Sequence, residues 1–272
     1  MQTRHDGHSF PNNGLPFYLH VNIERTSEYR YRMHNWHEEP EIILCMDGEG
    51  YVSTDGGQYR LTKGDIAVIS GDVLHYVGTD SHLRYTCLIV ESAFCRRMGI
   101  PFGESEFEPL IRDEELRTLF LALIGHYGTE HGRFRIAVLH RDLTALLAEL
   151  AVRYTDPVLS KKEDPPDLTR IKEVIRYIRE HYPERITLDG IARAVYTDKY
   201  ALCRDFHRLT GQTVIEYLNA YRVAQAGTLL AEGVSVASAA AECGFENPSY
   251  FARVFRRHTG VLPSKYTGAA EG

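Results

Sequence analysis

Hydrophobic and polar residues alternate along the first ninety residues of the chain, in short runs that are separated by turn residues. Alternation with a period of two is typical of β-strands that bury one face. Between two of these runs, Asp55-Gly56-Gly57 is a hairpin signal. Many short antiparallel strands indicate a small sandwich or barrel. The predicted strands cover residues 17–23, 41–46, 51–54, 59–61, 66–69 and 83–90.

Two helices are predicted after the strands, over residues 112–126 and 133–155. In the second helix, apolar residues recur with the spacing of a coiled-coil seam. Such a seam can pair with the same helix of a second subunit, and it can equally pack on its own barrel. The first alternative predicts a homodimer. The residues of the seam are Ile136, Leu139, Leu143, Leu146 and Leu150.

The C-terminal third of the chain contains one pattern twice. Arg-x-Phe-x-Arg-x-Thr-Gly begins at Arg204 and again at Arg253, 49 residues later. Thr187 and Ser235 precede the two copies at nearly the same distance, and both are residue types that cap helices. Each copy therefore predicts a short helix, a turn and a second helix that ends at Thr-Gly, which is a helix-turn-helix. The second helices are expected over 198–209 and 247–258, and a connecting helix over 213–231.

Each predicted second helix has a core face and a polar face. Leu202 and Phe206 share one face, as do Phe251 and Phe255. The remaining faces suit the major groove of DNA, where Arg pairs with guanine and small polar side chains contact bases or phosphates. A basic helix is also compatible with a solvated surface, since Arg is a good helix former, but the duplication favours DNA binding. The predicted DNA-binding residues are Lys199, Tyr200, Cys203, Arg204, His207, Asn247, Ser249, Arg253, Arg256 and Arg257.

Residues 168–266 resemble the DNA-binding domain of AraC/XylS-type transcription regulators. The second copy carries the stronger match, from Gly244 to Phe255 and then in Thr259-Gly260 and Pro263-Ser264-Lys265-Tyr266. The first copy departs at Gly190, where a helix-favouring residue is usual, and at Asp205, where an apolar residue is common. The resemblance implies that promoter DNA and RNA polymerase are partners, that transcription is activated, and that a carbohydrate is the effector.

The composition fits a folded chain of two domains. The 272 residues are 43% hydrophobic, which suffices for real cores. The formal net charge of −6 disfavours DNA binding if it is taken over the whole chain, but the charges are divided unevenly. Residues 168–272 contain 14 Lys and Arg against 11 Asp and Glu, and residues 1–167 contain 17 against 26. The C-terminal part is thus +3 and the N-terminal part −9, which assigns the DNA contact to the C-terminal part.

A charged, proline-rich segment, residues 156–167, separates the two parts. It lacks any hydrophobic period, so it is predicted to be a linker rather than an ordered surface loop. We therefore expect an N-terminal sensing and dimerisation domain over residues 1–155 and a DNA-binding domain over residues 168–272.

The sequence predicts neither a membrane partner nor export. No apolar run approaches the ~18 residues of a membrane span, and the polar residues 1–16 are unlike a signal peptide. The five cysteines are scattered without the spacing of a zinc site, so they indicate free thiols in a reducing compartment. We expect a cytoplasmic protein.

Candidate ligand residues lie on the predicted strands. His37, Glu41 and His75 resemble three of the four positions at which cupins place a His-x-His pair, a Glu and a distant His inside a barrel, and Asn35 replaces the first His. Two His and a carboxylate can hold Fe(II) or another divalent ion. The family resemblance instead implies an organic effector without metal, for which these residues would line the pocket. A third reading makes them structural polar residues at the barrel rim.

Arg30 and Arg32 alternate with tyrosines, so one of these faces would point into the barrel if the segment is a strand. Together with His37, Glu41 and His75 they form the predicted ligand-binding set. Arg, His and Glu side chains suit the hydroxyls of a polar ligand such as a sugar.

Taken together, the sequence predicts a transcription regulator with no catalytic residues and no cofactor. A cupin-like jelly roll followed by helices would bind a small molecule, and an all-α domain with two helix-turn-helix units would bind promoter DNA. Two alternatives remain open. One is a constitutive DNA-binding dimer whose cupin domain binds no effector, and the other is a metal-dependent cupin enzyme fused to a DNA-binding domain.

Overall fold

The structure of the protein is a computed structural model, and it describes residues 14–27, 34–54, 57–100, 102, 105–129, 132–160 and 164–266. The described chain divides into two compact units. Residues 14–27 and 35–160 belong to the N-terminal unit, and residues 164–266 belong to the C-terminal unit.

The N-terminal unit is an antiparallel β-sheet domain. Its principal sheet has seven strands in the order β1-β6-β2-β4-β8, and β3 and β5 pair with the far half of β2. A separate pair joins β7 to β9. The strands are β1 Phe17–Thr26, β2 Glu41–Thr54, β3 Gly57–Thr62, β4 Ile66–Ile69, β5 His75–Gly78, β6 His82–Val90, β7 Ser105–Phe107, β8 Leu110–Ile111 and β9 Thr155–Ser160.

One long strand replaces two predicted ones. Residues 41–46 and 51–54 were expected as separate strands, but both lie in β2. The register of β2 against β6 shifts between Cys45 and Asp47, and Gly48 follows with a φ of 76°. A bulge at this point bends the strand without ending it. The first half of β2 therefore pairs with β4 and β6, and the second half with β3 and β5.

The two faces of β2 belong to two different cores. Ile42 and Leu44 join a large core that includes three helices, α1 Ser92–Arg97, α2 Glu114–Tyr127 and α3 Arg135–Tyr154. Ile43 and Cys45 join a second core made of strand residues alone. Because side chains alternate along a strand, the side chains that point with Ile43 and Cys45 face the inside of the sheet domain. Glu41 has this parity.

The apolar seam of α3 is occupied within its own unit. Leu139, Leu143, Leu146 and Leu150 are fully buried in the core beneath the sheet. Only Ile136 of the predicted seam is exposed. The interpretation of this seam as an inter-subunit coiled coil is therefore wrong, because side chains buried in their own core present no surface to a second subunit.

The C-terminal unit is all helical, as predicted. Both Thr187 and Ser235 cap helices, and their side-chain oxygens accept bonds from the backbone N–H of Gly190 and Ser238 at 3.1 Å. Gly211 and Gly260 end the two second helices in the left-handed conformation. The helices are α4 Pro166–His181, α5 Leu188–Ala194, α6 Lys199–Thr210, α7 Val214–Ala231, α8 Val236–Glu242 and α9 Pro248–Thr259.

The connecting helix α7 explains its internal glycine. A Cβ added at Gly227 would lie 3.3 Å from the hydroxyl of Tyr266, which packs on this point of the helix. Thr213 and Glu216 form a reciprocal capping box at the start of α7. The low helix propensity of Gly227 is thus accepted in exchange for a close approach of the C-terminal segment.

The segment between the two predicted domains is more ordered than expected. Residues 156–160 lie in β9, where they pair with β7, and α4 already begins at Pro166. The predicted linker, residues 156–167, therefore overlaps two regular elements. The sequence signal was misleading because Pro is common at the first position of a helix. None of the described helices is long and apolar enough to cross a bilayer.

Candidate DNA interface and effector site

The first helix-turn-helix unit consists of α5 and α6. Leu202 and Phe206 anchor α6 in the core, where the ring of Phe206 lies 5.7 Å from that of Tyr217 on α7. Asp198 caps α6, and its carboxylate accepts the backbone N–H groups of Tyr200 and Ala201 at 2.9 and 3.0 Å. These bonds hold the pKa of Asp198 below its usual range. The cap fixes where α6 begins and so which side chains its first turn presents.

The second unit, α8 and α9, has the same frame with a larger aromatic core. Phe251 and Phe255 are buried with ring centroids 5.4 Å apart, and Phe245 lies 4.9 Å from Phe251. Asn247 caps α9 by accepting the backbone N–H of Tyr250 at 3.0 Å. Its side-chain oxygen is therefore engaged in the helix cap.

Arg222 of α7 supports the turn of the second unit. Its guanidinium donates to the carbonyl oxygens of Tyr182 at 2.8 Å and Glu184 at 2.7 Å, and it lies over the ring of Phe245 at 5.7 Å. Charged hydrogen bonds to backbone carbonyls are strong when they are shielded from water. Arg222 thus ties the loop after α4 to the second unit.

The residues predicted to bind DNA lie on the accessible sides of α6 and α9. Cys203 is half-buried, and the other nine are exposed. Sequence reasoning missed two exposed side chains of the first unit, Tyr196 in the turn and Arg208 on α6. The signal for Arg208 was present, since it belongs to the repeated pattern at the position equivalent to Arg257.

Carboxylates contact the cations of α6. Arg204 Nε lies 3.3 Å from Asp205, Arg208 lies 2.5 Å from Asp167, and Lys199 lies 3.4 Å from Asp189. Asp205, which departs from the family pattern, is itself buried and also lies 3.6 Å from Arg170 of α4. The acidic residue is tolerated in this buried position because arginines from α4 and α6 surround it.

The cations of α9 have a different environment. Arg253 lies over the ring of Tyr250 at 5.4 Å, and the hydroxyl of Tyr250 accepts a bond from Asn219 at 2.8 Å. Within the described part of the chain, neither Arg253 nor Arg256 has a carboxylate oxygen within 4 Å. The pKa of Glu216 on α7 is lowered, first by hydrogen bonds from Thr213 and then by the nearby charge of Arg257.

Inside the N-terminal unit, the predicted residues His37, Glu41 and His75 converge. All three are buried. Glu41 is central, because its Oε2 lies 3.2 Å from His37 Nε2 and 3.0 Å from His75 Nε2. Its Oε1 accepts a bond from the thiol of Cys87 at 3.0 Å. We call these four side chains the polar cluster.

Backbone contacts determine how the two imidazoles present themselves. His37 Nδ1 lies 2.8 Å from the carbonyl oxygen of Glu39, and His75 Nδ1 lies 2.9 Å from that of Val73. Because a carbonyl oxygen only accepts, each Nδ1 carries the proton. A neutral ring then has a lone pair on Nε2, whereas a ring that is protonated on both nitrogens donates from Nε2 to the carboxylate of Glu41.

The carboxyl group of Glu41 is ionised at neutral pH. Burial by itself would raise its pKa, but the interactions with His75 and His37 outweigh burial and hold the pKa well below the usual range. Burial and the neighbouring Glu41 raise the pKa of the Cys87 thiol well above its ordinary value. Cys87 is therefore a hydrogen-bond donor rather than a nucleophile.

Two chemical uses fit this geometry. Two His nitrogens and one carboxylate oxygen can hold a divalent cation, and the carbonyl partners of the outer nitrogens are those usual around metal-binding histidines. The same acceptors can receive hydrogen bonds from the hydroxyl or ammonium groups of an organic ligand. Asn35, at the position of the missing histidine, is held beside His75 by two backbone hydrogen bonds of 2.7 and 2.9 Å.

The other predicted ligand-binding residues, Arg30 and Arg32, lie outside the described residues. Cys87 and His20 were missed, because their place depends on which face of β6 and β1 is internal. Burial lowers the pKa of His20, and the nearby charge of Glu41 partly opposes this shift. Cys87 is paired with Ile43 across the sheet, and this register is not evident from the sequence.

Known proteins share both units. Residues 16–147 match the family model of an AraC-like ligand binding domain, and residues 191–269 match that of a helix-turn-helix domain. The chain is 26% identical over 251 residues to the HTH-type transcriptional activator RhaR of Escherichia coli, covering 85% of each chain. It is 24% identical over 244 residues to the arabinose operon regulatory protein of Salmonella typhimurium, covering 85% of this chain and 84% of that one.

The fold is also known from solved structures. Unsaturated fatty acid bound ToxT from Vibrio cholerae matches with a TM-score of 0.53 and 15% identity, over 93% of this chain and 95% of that one. At this identity the likeness concerns the fold alone.

A β-sheet domain for ligand binding and an all-helical domain with two helix-turn-helix units define a DNA-binding transcription regulator. The chain belongs to the AraC family of these regulators. Its relatives are transcription regulators and not enzymes.

Proposed function

We propose that α6 and α9 enter the major groove of promoter DNA on one side of the duplex, about one helical turn (~34 Å) apart. Lys199, Tyr200, Cys203, Arg204 and His207 contact DNA from α6. Asn247, Ser249, Arg253, Arg256 and Arg257 contact it from α9. The observation that carries this proposal is that two helix-turn-helix units of the same architecture expose the polar faces of α6 and α9. The single helix α7 joins the two units.

The side chain of Asn247 has a divided role in this proposal. Its oxygen caps α9, so only its amide group remains to donate to DNA. A donor at the first turn of a helix suits a phosphate oxygen rather than a base edge. Asn247 then fixes the register of α9, and Arg253 reads a base.

The polar cluster is the proposed effector site. Its buried acceptors, His37, Glu41 and His75, suit a ligand rich in hydroxyl groups, and Arg30 and Arg32 complete the proposed ligand-binding set. A carbohydrate fits this chemistry better than a long apolar chain does. The name of one relative refers to the arabinose operon, and the name of another describes a transcriptional activator. The bound fatty acid of the ToxT structure is the competing ligand class.

We further propose that the protein is a cytoplasmic homodimer that activates transcription through contact with RNA polymerase. Since the α3 seam is buried, a dimer would use another surface. The effector would act through different affinities for two arrangements of the protein.

A divalent cation bound by His37, Glu41 and His75 is the second candidate role of the cluster. The orientation of both Nε2 atoms toward one carboxylate oxygen favours it. The cation would neutralise the carboxylate and leave coordination positions open to an oxygen ligand.

Thermal unfolding of the full chain tests both roles. The protein is measured with a panel of sugars, sugar acids and fatty acids, with and without EDTA. A ligand at 100 times its Kd adds about 2.7 kcal/mol to the folded state. We expect one oxygen-rich compound to raise the midpoint, and Glu41→Gln to abolish that shift while the exposed control Glu115→Gln keeps it.

The remaining outcomes separate the alternatives. A midpoint lowered by EDTA and restored by one metal, but not in His75→Ala, selects the cation. A shift with fatty acids alone contradicts the oxygen-rich effector. No shift with any compound supports the constitutive DNA-binding dimer, in which apolar residues such as Ile43 and Val52 simply fill the sheet domain.

A further inference from the structure

Tyr196 lies in the turn between α5 and α6 in an unfavourable backbone conformation. Its φ is 52°, in the left-handed region that bulky L-residues rarely adopt. Its side chain is 97% exposed, more than any other large hydrophobic side chain among the described residues. The backbone strain is therefore not offset by packing of the ring.

The second unit meets the same requirement with glycine. Gly244 follows the capping residue Ser235 by nine residues, as Tyr196 follows Thr187, and its φ is 76°. A Cβ at Gly244 would lie 2.6 Å from the carbonyl oxygen of Tyr182. Both turns thus need a left-handed residue, and glycine adopts that conformation without strain.

Residues that hold strained conformations often serve contacts made outside the fold. Tyr196 is two residues before the cap of α6, and the first turn of α6 exposes Lys199 and Tyr200, which is 78% exposed. The first residues of a recognition helix are those nearest DNA. A tyrosine hydroxyl at this place can donate to a phosphate oxygen.

We propose that Tyr196 is an additional DNA-contacting residue, whose hydroxyl donates a hydrogen bond to a backbone phosphate beside the groove that α6 enters. This inference rests on the proposed entry of α6 into the major groove. The contact carries no sequence information, and it positions the first unit on the duplex.

The test separates binding from stability, because the proposal predicts opposite effects on them. The probe is a labelled duplex selected by the full-length wild-type chain from a random library, together with an unrelated duplex of equal length. Tyr196→Gly should raise the unfolding midpoint by about 2–4 °C, since it relieves the backbone. It should weaken binding to both duplexes by about three- to tenfold, the value of one hydrogen bond.

Tyr196→Phe isolates the hydroxyl. It should weaken binding to both duplexes by about three- to tenfold and leave the midpoint unchanged. Asn22→Gly is the matched control, because Asn22 also has a positive φ but lies on an exposed strand position of the N-terminal unit. It should leave DNA affinity unchanged.

Three outcomes overturn the proposal. Wild-type affinity in Tyr196→Phe removes the hydroxyl contact. A lowered midpoint in Tyr196→Gly shows that the residue serves the fold. A loss confined to the selected duplex shows base reading instead. If the wild-type chain selects no duplex, the proposed DNA interface fails as well, whereas equal binding by all variants overturns the role of Tyr196 alone.

Discussion

The two helix-turn-helix units share a frame and differ in how their charges are used. Each has a capped first helix, a left-handed turn residue, a buried phenylalanine and a final glycine. In the first unit, Lys199, Arg204 and Arg208 all contact carboxylates. In the described part of the second unit, Arg253 and Arg256 contact none.

Two copies of the same fold can therefore contribute unequally to the affinity and to the specificity of DNA binding. A cation that already neutralises a carboxylate gains less from a phosphate, because the protein pair must first be disrupted or shared. We infer that α9 supplies more of the electrostatic affinity for DNA. The paired arginines of α6 are instead held in defined positions, which favours orientation over strength.

The largest effect is expected from breaking the frame that both units share. Phe206→Ala and Phe255→Ala should each lower the free energy of unfolding by about 3–5 kcal/mol, because both rings are fully buried. Urea unfolding of the full chain measures this. Phe134→Ala, at an exposed ring, is the control. A cost under 1 kcal/mol for either buried ring would show that the two frames are not equivalent.

Arg253→Ala sharpens the comparison at equivalent positions of the repeat. It should weaken specific DNA binding by about 1–3 kcal/mol if Arg253 reads a base. Arg204→Ala should cost less, because Arg204 is paired with Asp205. Fluorescence anisotropy with the selected duplex measures both. Unchanged affinity in Arg253→Ala removes its role, and a greater loss in Arg204→Ala reverses the comparison.

Asp205→Asn should make the first unit more like the second. Without the carboxylate, Arg204 becomes available to phosphates while Arg208 keeps its partner Asp167, and we expect affinity for an unrelated duplex to rise about two- to fivefold. Stability should fall by about 1–2 kcal/mol, because Asp205 holds arginines of α4 and α6. Glu242→Gln makes the same change of net charge in the second unit and serves as the control. An equal gain in both variants would mean that only net charge matters.

The smallest expected difference is a pH dependence of the second unit. Burial, and then Arg257, lowers the pKa of His258 to about 4 from its ordinary value of 6.5. The unfolded chain thus binds a proton more readily, so this contribution to stability is present above pH 6.5 and is lost as the pH falls toward about 4. Leu209 holds the equivalent place in the first unit. His258→Gln should flatten unfolding free energies measured over this pH range, and an unchanged slope would contradict the assignment.

The helical domain could be predicted because local signals and the repeat agree. N-caps, glycine stops and the spacing of Phe206 and Phe255 all indicate the same elements. Helix α4 was missed, although Leu168, Ile171 and Ile175 follow helical spacing, because its first residues lie in the segment that was predicted as a linker. The strand β5 was also missed, because four residues carry too little periodicity. The environment of Asp205 depends on Arg170 from another helix, which sequence spacing does not reveal.

The polar cluster was predictable only in part. The spacing of His37, Glu41 and His75 resembled a known pattern, and the structure brings these residues together. Cys87 joins them through strand pairing that no local pattern specifies. The sequence leaves the class of ligand open, because two His and one Glu can bind either a cation or an organic ligand.

The salt dependence of DNA affinity tests the inequality of the two units most directly. The slope of log K against log salt is measured for the wild-type chain and for two variants, Arg256→Ala on α9 and Arg208→Ala on α6. Removing Arg256 should reduce the slope by about 0.9, the contribution of one phosphate contact. Removing Arg208, which is paired with Asp167, should reduce the slope by less than about 0.5. An equal or greater reduction for Arg208→Ala would contradict the claim that the second unit supplies more of the electrostatic affinity.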